Sequence, residues 1–97
     1  MAWFEHADPE RHRLLEQSRR FFRQLPPREQ EILRLAVQGL NDQDIASQSK
    51  ISLHTVRRHI ENMLHRTCDV YGRKLKFRQE LVPKIAPYLF FSPEAAQ

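Results

Sequence analysis

Arg57, Arg58 and Glu61 are the side chains in this 97-residue sequence best suited to recognising another molecule. A guanidinium carries forked donors that match guanine O6 and N7, and a carboxylate accepts from cytosine N4. In "LHTVRRHIENMLHR" they fall with His54 and His65 on one side of a helix, because Leu53, Val56, Ile60, Met63 and Leu64 occupy the other side at helical steps. A plainer use fits the same spacing. Arg57 and Glu61 stand at i and i+4, where they can form an exposed ion pair worth only a few tenths of a kcal/mol.

Other chemistries find less support. His54, His59, His65 and Cys68 invite a metal reading, but a structural site needs four converging ligands, and His54 and His59 lie about 140° apart around a helix. The expectation is no metal and no cofactor, with Cys68 a core or half-buried thiol. The sequence has no glycine-rich phosphate loop, no serine elbow and no paired acids with a plausible pocket, so it does not read as an enzyme.

The elements that must position the arginines are all helical. Apolar residues recur at three and four, only Gly39 and Gly72 break the chain, and no strand candidate survives. "DPERHRLLEQSRRFFRQL" predicts a helix over 9–24, with Asp8 as cap, Pro9 at its first position, and Leu14, Ser18, Phe21, Phe22 and Leu25 on the inner stripe. Pro26 and Pro27 end it, and Pro27 opens a helix over 27–38 that closes at Gly39. Asn41 caps a short helix over 42–48 with Ile45 and Ala46 inward, and Ser52 caps the longer one over 53–66. Beyond Cys68 the pattern loosens. A helix over 74–82 is expected there, interrupted by Pro83 and Pro87, with a frayed tail over 91–97.

A short helix, a tight turn at Lys50 and Ile51, and a longer helix with outward bases is the layout of a helix-turn-helix. Its physical rationale is shape, since an α-helix fits the major groove while the preceding helix crosses the backbone.

From Leu25 to about Val82 the chain resembles the DNA-binding domain of LuxR/GerE-type bacterial transcription regulators. The resemblance is carried by "LPPREQEILRLAVQGLNDQDIASQSKISLHTVRRHIENML", above all Thr55-Val56, His59-Ile60 and Asn62. It implies a four-helix core, binding to double-stranded DNA and a homodimer on two-fold related half-sites. Position by position, Arg57, Arg58 and Glu61 fall where the family reads bases, and Gln43 and Thr55 where it touches phosphate. Ser52, His54 and His65 complete the candidate surface. The chain departs from the pattern in four places, one of them Glu61, an acid where the family often has a basic or neutral polar residue. Pro26 stands where the family has a capping hydroxyl, extra residues including Tyr71, Gly72, Arg73, Lys74 and Lys76 follow the reader helix, and Pro83 falls inside the last helix.

The organisation expected is an N-terminal amphipathic helix over 1–24 for packing or dimerisation, a helix-turn-helix domain over 25–90, and the tail. Trp3, Phe4, Leu14, Leu15, Phe21 and Phe22 make the first segment more apolar than a linker requires. Too little chain precedes the resemblance for a sensor domain, and no small-molecule ligand is evident.

Composition bounds the rest. Sixteen Lys and Arg against 12 Asp and Glu give a net charge of +4, compatible with a nucleic-acid partner. Five of the bases, Arg73, Lys74, Lys76, Arg78 and Lys84, follow the reader segment, making Arg73, Lys74 and Lys76 candidates for additional phosphate contact. No apolar run approaches the roughly 18 residues of a membrane span, no leader opens the chain, and a lone cysteine suits a reducing cytosol, so a cytoplasmic protein without membrane contact is expected. An alternative use of the same scaffold is as an adaptor that binds RNA polymerase or another regulator, a role suited by Glu61 and by the large apolar groups of the first helix.

Overall fold

The computed structural model describes residues 9–91, and these are all helix, turn and loop. Helix α1 runs Pro9–Gln24, α2 Pro27–Val37, α3 Asp42–Ser49 and α4 Leu53–Tyr71. A π turn over Phe77–Leu81 leads directly into α5, Val82–Phe91. Asp8, Trp3, Phe4 and the segment 92–97 lie outside the described residues.

Local chemistry sets most of the helix ends. Pro26 precedes α2 without a side-chain cap, and Pro27 takes the first helical position, where its missing N–H is no loss. Asn41 Oδ1 accepts from the Asp44 N–H at 2.9 Å and so starts α3. Ser52 Oγ accepts from the Thr55 N–H at 3.0 Å and starts α4. Between these two helices the chain turns through Lys50, which sits in the left-handed region at φ 58° although it is not glycine. The Ile51 N–H reaches back to the Ala46 carbonyl and Arg28 donates to the Ser49 carbonyl, so the end of α3 is well satisfied.

The core is built from every helix. Ile32, Leu33, Ile45, Val56, Met63, Leu81 and Ile85 are completely buried. Phe21 and Phe22 of α1 join the same cluster, stacking at a tilt on Tyr71 and Tyr88 with centroids 5.8 and 5.9 Å apart. The apolar stripe of α1 therefore packs on this chain's own core, with one exception. Leu14, expected on the inner face, is 44% exposed.

Three further expectations need correction. Helix α4 does not end at 66 but continues to Tyr71, where Gly72 at φ 80° closes it. Its buried stripe goes on through Thr67 and Val70, and Thr67 disguises the continuation because it is polar. Its hydroxyl donates to the Leu64 carbonyl and accepts the buried Leu75 N–H at 3.0 Å, which ties the chain beyond α4 back onto that helix.

The prolines do not break the last helix. Continued as regular α-helix from Phe77, the ring of Pro83 would collide with the carbonyl four residues back. The π turn removes the clash by widening the ladder, with the Leu81 N–H bonded to the Lys76 carbonyl and the Val82 N–H to that of Phe77. Pro87 lies within α5, held there by buried Ile85 and Tyr88 on either side. The thiol of Cys68, expected in or near the core, is exposed. Among the described residues no group of His, Cys, Asp and Glu gathers as metal ligands, and no helix is long and apolar enough to cross a membrane.

Candidate nucleic-acid interface

The outward face of α4 begins at its cap. The hydroxyls of Ser52 and Thr55 lie 2.8 Å apart at the helix N-terminus, where the unpaired amides and the helix dipole favour an anion. Lys50, exposed in the turn just before, adds a positive charge. Sequence reasoning noted this lysine only as part of the turn, and its place between two helices is the signal that would have promoted it. His54, Arg57, Arg58, Glu61 and His65 are all exposed and, at helical spacing, share one stripe. Gln43 is exposed in the first turn of α3, next to Asp42, which α4 approaches through Arg57.

The exposed Arg57–Glu61 pair that the i, i+4 spacing allows is not formed. Arg57 Nε instead lies 3.7 Å from Asp42 of α3, while 65% of its side chain is exposed. Asp42 also receives Arg78, which donates a second bond to the Leu40 carbonyl at 3.1 Å. Glu61 takes Lys74 as its hydrogen-bond donor, with His65 Nε2 at 3.3 Å. The Lys74 bond holds the Glu61 carboxyl below its ordinary range. Arg58 has no ion pair among the described residues and is exposed.

The basic segment after α4 is likewise engaged. Arg73 forms a two-pronged pair with Glu80, whose carboxylate also accepts the Lys76 N–H at 2.8 Å. Those bonds, first that of Arg73 and then that of the amide, bring the Glu80 pKa down to about 2. Leu75 and Phe77 are buried between these charges, so the segment is folded against α4. The Lys76 side chain is exposed.

Behind the stripe, a buried acid fixes α4 on α2. Glu29 is 3% exposed and its Oε2 lies 3.1 Å from His59 Nδ1. Its Oε1 has no hydrogen-bond partner, and the nearest cation to it is Arg66 Nε at 3.8 Å. His59 and Arg66 occupy α4 two turns apart, so one carboxylate sets the helix in both rotation and register.

Residues 23–67 match the family model described as "Bacterial regulatory proteins, luxR family" (GerE). This stretch is a LuxR/GerE-type helix-turn-helix domain. The LuxR/GerE family is one of DNA-binding transcription regulators, the general class to which this domain belongs. The matched stretch takes in α2, α3 and α4 as far as Thr67, whereas nearly all of α1, the π turn and α5 lie beyond it. Neither a curated protein nor a solved structure matches the chain.

Proposed function

We propose that the chain is a sequence-specific double-stranded DNA-binding regulator in which α4 enters the major groove and its first three turns read base edges. The observation that carries this is the exposed stripe of His54, Arg57, Arg58 and Glu61 on a helix whose start, with Ser52 and Thr55, is capped and free of acidic side chains. Arg58 and Arg57 supply donors to guanine, with Arg57 exchanging Asp42 for the base. Ser52, Thr55, Gln43 and Lys50 flank the groove and take phosphate. Glu61 and His65 lie further along the groove. Lys76 is available to phosphate directly, while Arg73 and Lys74 reach it on releasing Glu80 and Glu61.

Dimerisation is part of the same proposal. Phe90 and Phe91, 66% and 72% exposed, give the end of α5 an apolar surface, whereas the aromatic residues of α1 within 9–24 are spent on the core. A pair of reader helices would then serve two half-sites one helical turn apart, about 34 Å.

The test is fluorescence anisotropy with a duplex selected for binding. Arg57→Ala and Arg58→Ala should each weaken binding by about 1–3 kcal/mol and relax sequence preference, with circular dichroism unchanged. Equal binding by wild type and both variants would overturn the proposal. One observation favours the adaptor reading. Asp42 and Glu61 place acids against the bases of α4 and its neighbours, which suits a protein partner such as RNA polymerase or another regulator better than phosphate. Arginine variants that bind duplex normally but lose such a partner would establish it.

A further inference from the structure

At the far end of α4 from its cap, a groove of about 360 Å³ opens between α1, the last residue of α4 and the start of α5. That volume falls within the range of small-molecule sites, at its lower end. Its walls are apolar: Leu14 and Leu15 from α1, the ring of Tyr71, and Pro83 and Pro87 from α5. The polar groups on its floor have committed their donors inward. Gln17 Nε2 donates to the Val70 carbonyl at 3.0 Å and the Ser18 hydroxyl to the Lys84 carbonyl at 3.0 Å. What remains for recognition is charge. Lys84 Nζ lies over the Tyr71 ring, 5.7 Å from its centroid, with no carboxylate partner among the described residues.

We propose that this groove is a binding site for a small amphipathic anion, whose apolar body lies on Leu14, Leu15, Tyr71 and the two prolines while its carboxylate meets Lys84. With the inner donors of Gln17 and Ser18 taken up, the Lys84 ammonium is the group that selects charge, favouring an anionic amphiphile over a neutral one and repelling a cationic one. A single cleft of this size suits one acyl chain better than the row of anchors that a bound helix would need. Leu14 is exposed because it forms the outer lip of the site, which accounts for the one residue of the α1 stripe that the chain's own core leaves uncovered. Nineteen residues of α4, about 28 Å, separate Tyr71 from the capped end, so the groove can be filled independently of anything bound at the outward arginines.

The test is a titration of the full chain with decanoate, below its micelle-forming concentration, followed by backbone amide NMR. Saturable shifts confined to 11–18, 71 and 84–86 are expected, with Lys84→Glu weakening the site roughly tenfold, the step from an exposed attraction to an exposed repulsion. Leu14→Glu, at an exposed position, should weaken it too, while Arg58→Ala binds as wild type. Decanol should bind more weakly than decanoate. The proposal is overturned by shifts that do not saturate, by shifts centred on Phe90 and Phe91, by Lys84→Glu binding as tightly as wild type, or by an acidic peptide occupying the groove while decanoate does not.

Discussion

The side chain that most directly fixes α4 faces inward. A carboxylate buried as deeply as Glu29 is costly unless paired, and here His59 and Arg66 compensate it from one helix while its second oxygen lacks a full hydrogen bond. Glu29→Ala should remove this brace and destabilise the fold by about 2–3 kcal/mol, measured by urea unfolding, because it also leaves His59 without its partner. A loss under about 0.5 kcal/mol, ordinary for a surface change, would show that the brace is ornamental. The outward residues illustrate what sequence can and cannot reveal at this scale. The exposure of His54, Arg57, Arg58, Glu61 and His65 follows from helical period alone. Their partners do not, since Asp42 meets Arg57 and Lys74 meets Glu61 only once three separate elements have packed.

At the scale of elements, the legible boundaries were those set by local chemistry. The Pro26-Pro27 pair and the Asn41 and Ser52 caps act on neighbouring backbone, so the end of α1 and the starts of α2, α3 and α4 could be read residue by residue. The end of α4 could not, because Thr67 earns its buried place through a bond to Leu75 that no periodicity displays. The π turn was hidden for a related reason: two prolines read as a break, and only the packing of Leu81 and Ile85 makes a widened turn the better solution. That turn gives a pH prediction. Glu80 has its folded pKa lowered from 4.5 to about 2, so its contribution is present above about 4.5 and is lost as pH falls through that interval towards 2. Glu80→Gln lacks the contribution at neutral pH. The stability difference between wild type and Glu80→Gln should therefore narrow between pH 4.5 and 2, as followed by denaturant titration at each pH. A difference independent of pH would contradict the assignment.

For the whole molecule, the helix-turn-helix is held inside a larger helical frame. Helix α1 lies against α4 and α5, and α5 also against α2, and burial of Phe21, Phe22, Ile85 and Tyr88 makes the flanking helices part of the same core. Of their large apolar side chains, Phe90 and Phe91 at the end of α5 are more exposed than Leu14 of α1. Light scattering should give a dimer mass for the intact chain, and Phe90→Ser with Phe91→Ser should give a monomer of unchanged helicity. A monomer for the unaltered chain, or a dimer that persists in the double variant, would place the contact elsewhere. The surface charge, +4 overall, is distributed less simply than composition suggests. Arg73, Lys74 and Arg78 face acids of their own chain, leaving Arg58 and Lys50 as outward charge near the cap. The most direct test of this account is selection of bound duplexes from a random library, with wild type and Arg58→Ala carried in parallel. An enriched motif with two related half-sites, weakened or broadened by Arg58→Ala, is the predicted result. A library that shows no enrichment over several rounds, or the same motif at the same strength with Arg58→Ala, would contradict it.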